Sequence, residues 1–205
     1  QNGKIPDSVI TASSEYSSAC KAMNGRLHFL HRSGRVGSWL ASRLDVYQYL
    51  QVNFGDWTKI SRVATQGRND ADQWVTSFSL SYGYDSVFFR IYKEDNKKKV
   101  KIRFTFHKIT YRELGLSLGI TFTLLYQESE IKLLHFNKLK MLPFYLADIQ
   151  GNSDRYTVVM QALKIPIITR YIRIHPETWH AHISMRAEFY GCKEGRKSLH
   201  KIQNC

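Results

Sequence analysis

The amino-acid sequence predicts an all-β fold, a sandwich or barrel built from several strands. Aromatic residues make up 13% of the 205 residues, mostly as 12 Tyr and 11 Phe, and both residue types favour strands. Several segments alternate apolar and polar residues, as a strand with one buried face must. Stretches rich in Gly, Asn, Asp and Ser separate these segments and indicate strand boundaries rather than helices.

Three alternating segments lie in the first half of the chain. Residues 50–54 read Leu-Gln-Val-Asn-Phe, and residues 76–82 alternate Thr, Phe, Leu and Tyr with serines. In residues 87–92, Val87, Phe89 and Ile91 alternate with the other three residues. The spacing predicts one strand over each segment.

The same pattern returns near the end of the chain. Residues 172–175 alternate Ile with Arg and His, and residues 183–190 place Ile, Met, Ala and Phe at every second position. We therefore expect two further strands there. Turn-rich stretches at 24–25, 33–35, 67–70 and 83–85 divide the strands from one another.

Residues 101–149 depart from this style. Residues 101–109 fit one strand, but 114–125 form a mixed apolar run and 131–146 have no clean period. The apolar stretch over 114–126 is too short to span a membrane, and the polar residues 1–6 do not form a secretory leader. We expect a soluble chain, either processed or a fragment, in which this segment does not continue the sandwich.

The formal net charge of +13 raises the question of a nucleic-acid partner. The basic residues are mostly dispersed singly, and only residues 97–99 form a run of lysines. This dispersal indicates a solvated basic surface. An anionic lipid or an acidic glycan fits such a surface better than nucleic acid, so we expect no nucleic-acid partner.

The sequence contains no recognisable motif for catalysis or for cofactor binding, such as a nucleophile elbow, a phosphate loop or a dinucleotide fingerprint. His180 and His182 would share one face of a strand, but they have no third ligand, so we interpret them as exposed histidines rather than a metal site. The same interpretation applies to His28 and His31. We therefore expect neither an enzyme nor a cofactor nor a bound metal.

A series of short motifs runs in order along most of the chain. They are residues 3–8 (Gly-Lys-Ile-Pro-Asp-Ser), 10–14, 25–27, 34–36 with Trp39, 50–52, 63–68, 74–77, 151–152, 166–168, 170–176, 178–179 and 186–192. This series resembles the discoidin (coagulation factor V/VIII type C) domain family. Two mild departures fall in one strand, where Tyr49 stands in place of the family's usual Trp and Asn53 in place of its usual Asp.

The resemblance implies an eight-stranded antiparallel jelly-roll barrel or sandwich of the galactose-binding type. The domain would span residues 1–192, interrupted by the insert 101–149, and a basic tail would follow over 193–205. The resemblance also implies a secreted or cell-surface location, and a binding surface formed by loops at one end of the barrel.

The family pattern leaves the cysteines and the insert open. The family's first cysteine normally bonds the one matching Cys192 and would lie upstream of Gln1, so Cys192 is expected to lack its usual partner. A Cys20–Cys192 bond is not expected, because the resemblance places them at opposite ends of the barrel; the pairing of Cys20 and Cys205 stays open. We interpret residues 101–149 as a retained intron in a gene model, or alternatively as a real loop insertion.

The resemblance points to three loops as the binding surface, at residues 15–24, 30–37 and 67–73. The candidate residues are Tyr16, Lys21 and Met23 in the first loop, Arg32 and Arg35 in the second, and Arg68, Asn69, Asp70 and Asp72 in the third. The first set offers apolar surface and a cation, the second suits carboxylate, sulfate or phosphate, and the third resembles groups that hold sugar hydroxyls.

The first loop contains neither Trp nor Phe, although a lipid-binding loop needs bulky apolar tips. The sequence therefore favours a cell-surface glycan or protein as the ligand, in a module that serves cell adhesion. An anionic phospholipid surface is the second alternative. A purely structural module within a larger extracellular protein is the third.

Overall fold

The computed structural model describes residues 5–93 and 149–193. Within them the strands are β1 (Ile10–Ala12), β2 (Trp39–Leu40), β3 (Leu50–Gln66), β4 (Trp74–Gly83), β5 (Arg90–Ile91), β6 (Ile149–Gln150), β7 (Val159–His180) and β8 (Ser184–Lys193). Two short 3-10 helices, Asp7–Val9 and Ala22–Gly25, accompany them. The all-β prediction is confirmed. The predicted insert, except for Ile149, and the tail after Lys193 lie outside the described residues.

The described strands form one antiparallel sheet in the order β2-β8-β3-β7-β4-β5, with β1 added to β3 and β6 added to β4. Strand β7 pairs with β3 from Leu50 to Thr65 and so takes up one of its two edges. Strands β1 and β8 therefore share the other edge, where β1 reaches Val52 and the end of β8 reaches Thr58. The first and last strands thus both pair with the same edge of β3.

Strands β3 and β7 are long, with 17 and 22 residues, where the sequence pattern indicated only short segments. They stay paired through two register shifts that bend them. Gly55, with φ of +75°, lies in the first shift. Pro166 lies in the second, between Ala162 and Ile167, where its missing N–H interrupts no ladder. The bends let one sheet curl around a core.

The core is formed by the alternating apolar positions that the sequence pattern predicts. Leu50 and Val52 of β3, together with Ile172 and Ile174 of β7, are buried and belong to one cluster. Each such side chain stabilises the fold by about 1.5–3 kcal/mol. Trp39 is fully buried in the same cluster, and its indole N–H donates to the Ser14 carbonyl at 2.9 Å.

The predicted strand over residues 87–92 is wrong for most of its length. The carboxylate of Asp85 accepts hydrogen bonds from the backbone N–H groups of Val87 and Phe88, both at 2.8 Å, and these bonds lower the pKa of Asp85. They hold a turn in place of a strand. Of this segment only Arg90 and Ile91 form a strand, β5, which pairs with β4. Tyr92 packs against the core, whereas Ile91 is exposed. Phe89 and Tyr92 are half-buried and the residues between them are exposed, so the segment does not alternate as a strand would.

Among the described residues, no helix has the length and apolar character needed to span a membrane.

Candidate functional site

Four loops come together at one end of the sheet, which we call the loop end. They comprise residues 13–38, 67–73, 151–158 and 181–183. His31 Nδ1 lies 3.3 Å from Asp70 Oδ2 and so joins the loop 13–38 to the loop 67–73. Arg155 Nε lies 3.2 Å from Asp72 Oδ1 and joins the loop 67–73 to the loop 151–158. The resemblance indicated three ligand loops, at 15–24, 30–37 and 67–73, and the structure adds residues 151–158 and 181–183 beside them.

One buried arginine ties three of these loops together. Arg186 of β8 is only 2% exposed, and its guanidinium donates to the carbonyl oxygens of Gly67, Phe29 and Arg155 at 2.7, 2.9 and 2.7 Å. Burial lowers the pKa of Arg186, and the nearby negative charge of Asp70 opposes that shift. The guanidinium acts as an internal strut whose five donors suit several carbonyls at once.

Side-chain amides reinforce this frame. Gln66, the last residue of β3, accepts from the backbone N–H of His28 and donates to the carbonyl of Tyr156, both at 2.8 Å. Asn152 donates to the carbonyls of Thr65 and Thr157 at 3.1 and 2.8 Å. Both amides are buried, so each bond satisfies a backbone carbonyl or amide that would otherwise be costly to bury.

In the loop 67–73, Arg68 and Asp70 hold each other. Arg68 Nε and Nη2 donate to the two oxygens of Asp70 at 2.8 and 3.0 Å, and the backbone N–H of Gly37 donates to the same carboxylate at 3.1 Å. Partial burial raises the pKa of Asp70. The hydrogen bond and charge of Arg68, together with the backbone donors, lower it by more, so the net effect is a decrease. The bidentate pair leaves the Arg68 fork largely occupied by the protein itself.

The other two candidates of this loop differ in their surroundings. The side-chain oxygen of Asn69 accepts from the backbone N–H of His31 at 3.2 Å. The backbone N–H of Asn69 donates to the carbonyl of Gly37. Asp72 keeps a largely exposed carboxylate beside Arg155. Asn69 therefore holds two loops in register, whereas Asp72 faces solvent.

Arg32 and Arg35 close a tight turn, with reciprocal backbone hydrogen bonds of 3.0 and 2.9 Å and Gly34 at φ of +73°. Arg35 donates through Nε and Nη2 to the side-chain oxygen of Asn24 at 2.9 and 2.7 Å, and its guanidinium lies 4.7 Å from the ring centroid of Phe29. Arg32 is exposed and makes only the looser 5.7 Å approach to that ring. Of the two arginines, Arg32 is the one free to reach a ligand.

In the first loop, Tyr16 is 63% exposed and Lys21 is exposed, whereas Met23 is half-buried. The loop is held from within, because the carboxylate of Glu15 accepts from the backbone N–H of Ala22 at 2.7 Å. Tyr16 and Lys21 therefore point outward from an ordered backbone.

Two histidines that sequence reasoning set aside complete the rim of the loop end. His180 stacks on Trp74 with ring centroids 4.3 Å apart and an interplanar angle of 15°, and His182 meets Tyr16 edge-on at 5.6 Å. Ala181 between them has φ of +58°, an uncommon conformation for a residue with a Cβ. The two-residue spacing was visible in the sequence, but their aromatic partners lie more than a hundred residues away.

The described residues contain no group of three or more His, Cys, Asp or Glu side chains placed to hold a metal ion. What the loop end does present is a set of exposed planar groups beside exposed cations. Rings such as Tyr16 and Tyr156, 63% and 59% exposed, can cover the apolar face of a sugar. Arg32 and Lys21 can pair with carboxylate, sulfate or phosphate.

The two described cysteines occupy separate places. Cys20 is a buried free thiol, and Ser17 Oγ donates to its sulfur at 3.3 Å. Cys192 lies in β8 opposite Lys59. It has an interaction partner in the structure. The Cys20–Cys192 bond that we did not expect is not formed.

Comparison with known proteins gives one family. A family model described as the F5/8 type C domain matches residues 9–120 and 134–189. Coagulation factor VIII of Sus scrofa is 28% identical over 195 residues, which are 94% of this chain and 7% of that protein. Retinoschisin of Takifugu rubripes is 30% identical over 163 residues, covering 80% of this chain and 42% of the relative.

Lactadherin of Rattus norvegicus is 26% identical over 197 residues, covering 94% of this chain and 35% of that protein. The chain therefore spans less than half the length of each of these three relatives. Among solved structures, recombinant discoidin II of Dictyostelium discoideum matches with a TM-score of 0.62 and 24% identity, over 93% of this chain and 57% of that chain. This likeness confirms the predicted jelly-roll fold.

Proposed function

The chain belongs to the F5/8 type C (discoidin) domain family, and from that membership we propose that it is an extracellular module for cell adhesion. The family generally consists of non-enzymatic binding modules. In this proposal the loop end holds a glycan or a cell-surface protein, and the module acts without a cofactor. The candidate ligand residues are Tyr16, Lys21 and Arg32, with Tyr156 and His180 added from the structure.

The proposal rests on one observation: some of the cations at the loop end are bonded within the protein, whereas others have no carboxylate partner in the described part of the chain. Arg186, Arg68 and Arg35 are occupied by carbonyl, carboxylate and amide oxygens of the protein. Arg32 and Lys21 have no carboxylate partner among the described residues. A frame with its own polar groups satisfied, carrying unpaired cations and exposed rings, suits an acidic or sulfated glycan.

The direct test is a glycan array that contrasts sulfated and sialylated sugars with neutral ones. We expect Arg32→Ala to weaken binding of an acidic glycan by about tenfold or more, because it removes a charge-assisted contact. Arg62→Ala is the matched control, since Arg62 is an exposed arginine of β3 that lies over Tyr190. Equal affinity of the Arg32 variant and the parent would remove this turn from the binding surface.

Arg35→Ala tests a different role from Arg32→Ala. We expect it to lower both affinity and thermal stability, because Arg35 holds Asn24 and stacks on Phe29. The Arg32 variant should lower affinity alone. This contrast separates a ligand contact from a residue that positions the loop.

The second candidate function is binding of an anionic phospholipid surface at the loop end. It is favoured by Leu30, which is 58% exposed beside Arg32 and so offers an apolar side chain next to a cation. Leu30→Ser would weaken vesicle binding if this candidate holds, and would leave an acidic glycan's affinity nearly unchanged.

A further inference from the structure

One arginine on the outer face of the sheet has a guanidinium that makes a single hydrogen bond within the described residues. Ile172 and Ile174 of β7 point into the core, so Arg173 between them points to the opposite face. Its Nε donates to the side-chain oxygen of Gln51 at 2.8 Å. Among the described residues nothing accepts from Nη1 or Nη2, and neither atom is sealed from solvent. Four of the five guanidinium N–H groups are therefore open to a partner.

Two aromatic rings hold this guanidinium in place. The Cζ atom of Arg173 lies 4.1 Å from the ring centroid of Tyr49 and 3.5 Å from that of Phe89. Contacts between a cation and ring faces at these distances are attractive. They fix the side chain before any ligand arrives, so little of its freedom remains to be lost on binding. We call Arg173, Tyr49 and Phe89 the Arg173 cluster.

A glycine lets the turn between β4 and β5 bring Phe89 onto the outer face. Gly83 pairs with Tyr171 of β7, two positions from Arg173, so a side chain at position 83 would point to the same face as Arg173. A Cβ there would overlap the carbonyl oxygen of Phe88. Because Gly83 has no side chain, the turn can fold back across this face and close the cluster.

The Arg173 cluster carries a positive charge without a counter-ion in the described part of the chain. None of the ion pairs there includes Arg173. Burial, and next the charge of Arg173, lower the pKa of His175 to about 4, so this neighbour is neutral at pH 7. The one carboxylate of β7, Glu177, accepts a hydrogen bond from Ser79 at 2.7 Å. An anion at the Nη atoms would therefore neutralise a charge that the described residues leave unpaired.

We propose that the Arg173 cluster binds a carboxylate in an acidic segment of a protein partner. The open Nη edge fits the two oxygens of one carboxylate. Val87 and Phe88, 71% and 78% exposed in the adjoining turn, offer apolar surface to the residues on either side of that carboxylate. Apolar contacts that exclude water strengthen a charged pair, and an arginine among aromatic side chains is typical of the anchor of a protein interface.

An acidic sugar fits the cluster less well than a protein segment. The guanidinium already covers a face of each ring, and the rings of His175 and Tyr171 pack beside them. A pyranose would need a free ring face, whereas a carboxylate needs only the Nη edge. The cluster is also separate from the loop end, because seven residues of β7 lead from Arg173 to His180, a length of about 20 Å at 3.3 Å per residue.

The experiment is titration of the full chain with a short peptide of alternating leucine and glutamate, and with a control peptide in which glutamine replaces glutamate. We expect the parent to bind the glutamate peptide at least tenfold more tightly than the control. Arg173→Gln should lower the affinity for the glutamate peptide at least tenfold, because a charge-assisted contact is lost. Arg173→Lys keeps the charge without the planar fork and should lie between them. Arg62→Gln is the matched control, since Arg62 also lies over a ring, that of Tyr190, and it should bind as the parent does.

Histidine NMR signals locate the peptide in a way that loss of folding could not imitate. His175 lies beside the cluster, whereas His180 and His182 lie at the rim of the loop end. The glutamate peptide should shift the ring signals of His175 in the parent and leave those of His180 and His182 in place. In Arg173→Gln, native signals from His180 and His182 would show that the domain is folded, and the peptide should no longer shift His175.

Three results would overturn the proposal. One is a parent that does not prefer the glutamate peptide, or an Arg173→Gln variant that binds it as well as the parent. Another is a peptide that shifts His180 and His182 instead of His175, which would place the peptide at the loop end. The third is a shift of His175 by polygalacturonate but not by the peptide, which would make a glycan the occupant. The effect of Arg32→Ala on the glycan array is independent of all three.

Discussion

Replacing Arg186 with Met tests whether the loop end depends on one internal strut. Methionine keeps much of the apolar stem but none of the donors. The guanidinium makes hydrogen bonds to three backbone carbonyls, each worth about 1.5–3 kcal/mol when a charged group takes part. Because bonds to one group are not additive, we expect a loss of about 4 kcal/mol in the free energy of unfolding. That is a large part of the 5–15 kcal/mol typical of a domain.

The assay is urea unfolding of the parent, Arg186→Met and Arg186→Lys, followed by acidic-glycan binding on whatever remains folded. Lysine keeps the charge but cannot present the planar fork, so its midpoint should lie between the other two. Arg62→Met, at an exposed position, should stay within about 0.5 kcal/mol of the parent. An unchanged midpoint in Arg186→Met would refute the reasoning, since three backbone carbonyls would then have lost their donor at no cost.

Two further predictions concern pH and the insert. Burial and the charge of Arg173 lower the pKa of His175 from 6.5 to about 4. The unfolded chain therefore binds more protons between these values, and the stability present above pH 6.5 falls toward pH 4 by on the order of 3 kcal/mol. In urea unfolding, the free energy of unfolding of His175→Gln should fall less between pH 6.5 and pH 4 than that of the parent. Parallel pH dependences in the two proteins would contradict this. Joining Val100 to Ile149 should give a more soluble domain of at least equal thermal stability, because β5 and β6 both pair with β4; an unfolded product would show that the insert belongs to the core.

The pH experiment needs one correction. Burial raises the pKa of Glu177, although a hydrogen bond from Ser79 opposes the shift. A carboxyl with a raised pKa adds stability as the pH falls, opposite in sign to His175. Comparing His175 with His175→Gln in a protein that also carries Glu177→Gln removes this contribution. The remaining difference in the pH dependence of stability then belongs to His175.

The sequence could predict the strands wherever burial alone decides the structure. The alternation at Leu50, Val52, Ile172 and Ile174 is visible because each points into one core. At Val87 the same alternation misleads, because the Asp85 side chain captures the backbone amides and replaces the ladder with a turn. Periodicity reports which side chains avoid water, and it cannot show a competing local hydrogen bond.

The loop end could be predicted only in part. Loops and candidate residue types followed from the family motifs, but the partner of each charged group did not. Arg35 looks like a ligand cation in the sequence, yet its guanidinium is taken up by Asn24, eleven positions away. Arg186 reads as an ordinary strand arginine, because the carbonyls it binds lie 31 to 157 positions away and have no side-chain signature.

The central place of β3 has a consequence for how the chain acquires its structure. Strand β3 is complete at Gln66, but the strands that cover most of both its edges, β7 and β8, begin only at Val159 and Ser184. During synthesis at about 5–20 residues per second, β3 would wait on the order of ten seconds with open edges. Pairing across such sequence separations also makes folding slow, in milliseconds to seconds for domains of this class. The folding yield of this domain should therefore depend more on how long a nascent β3 is shielded than on the stability finally reached.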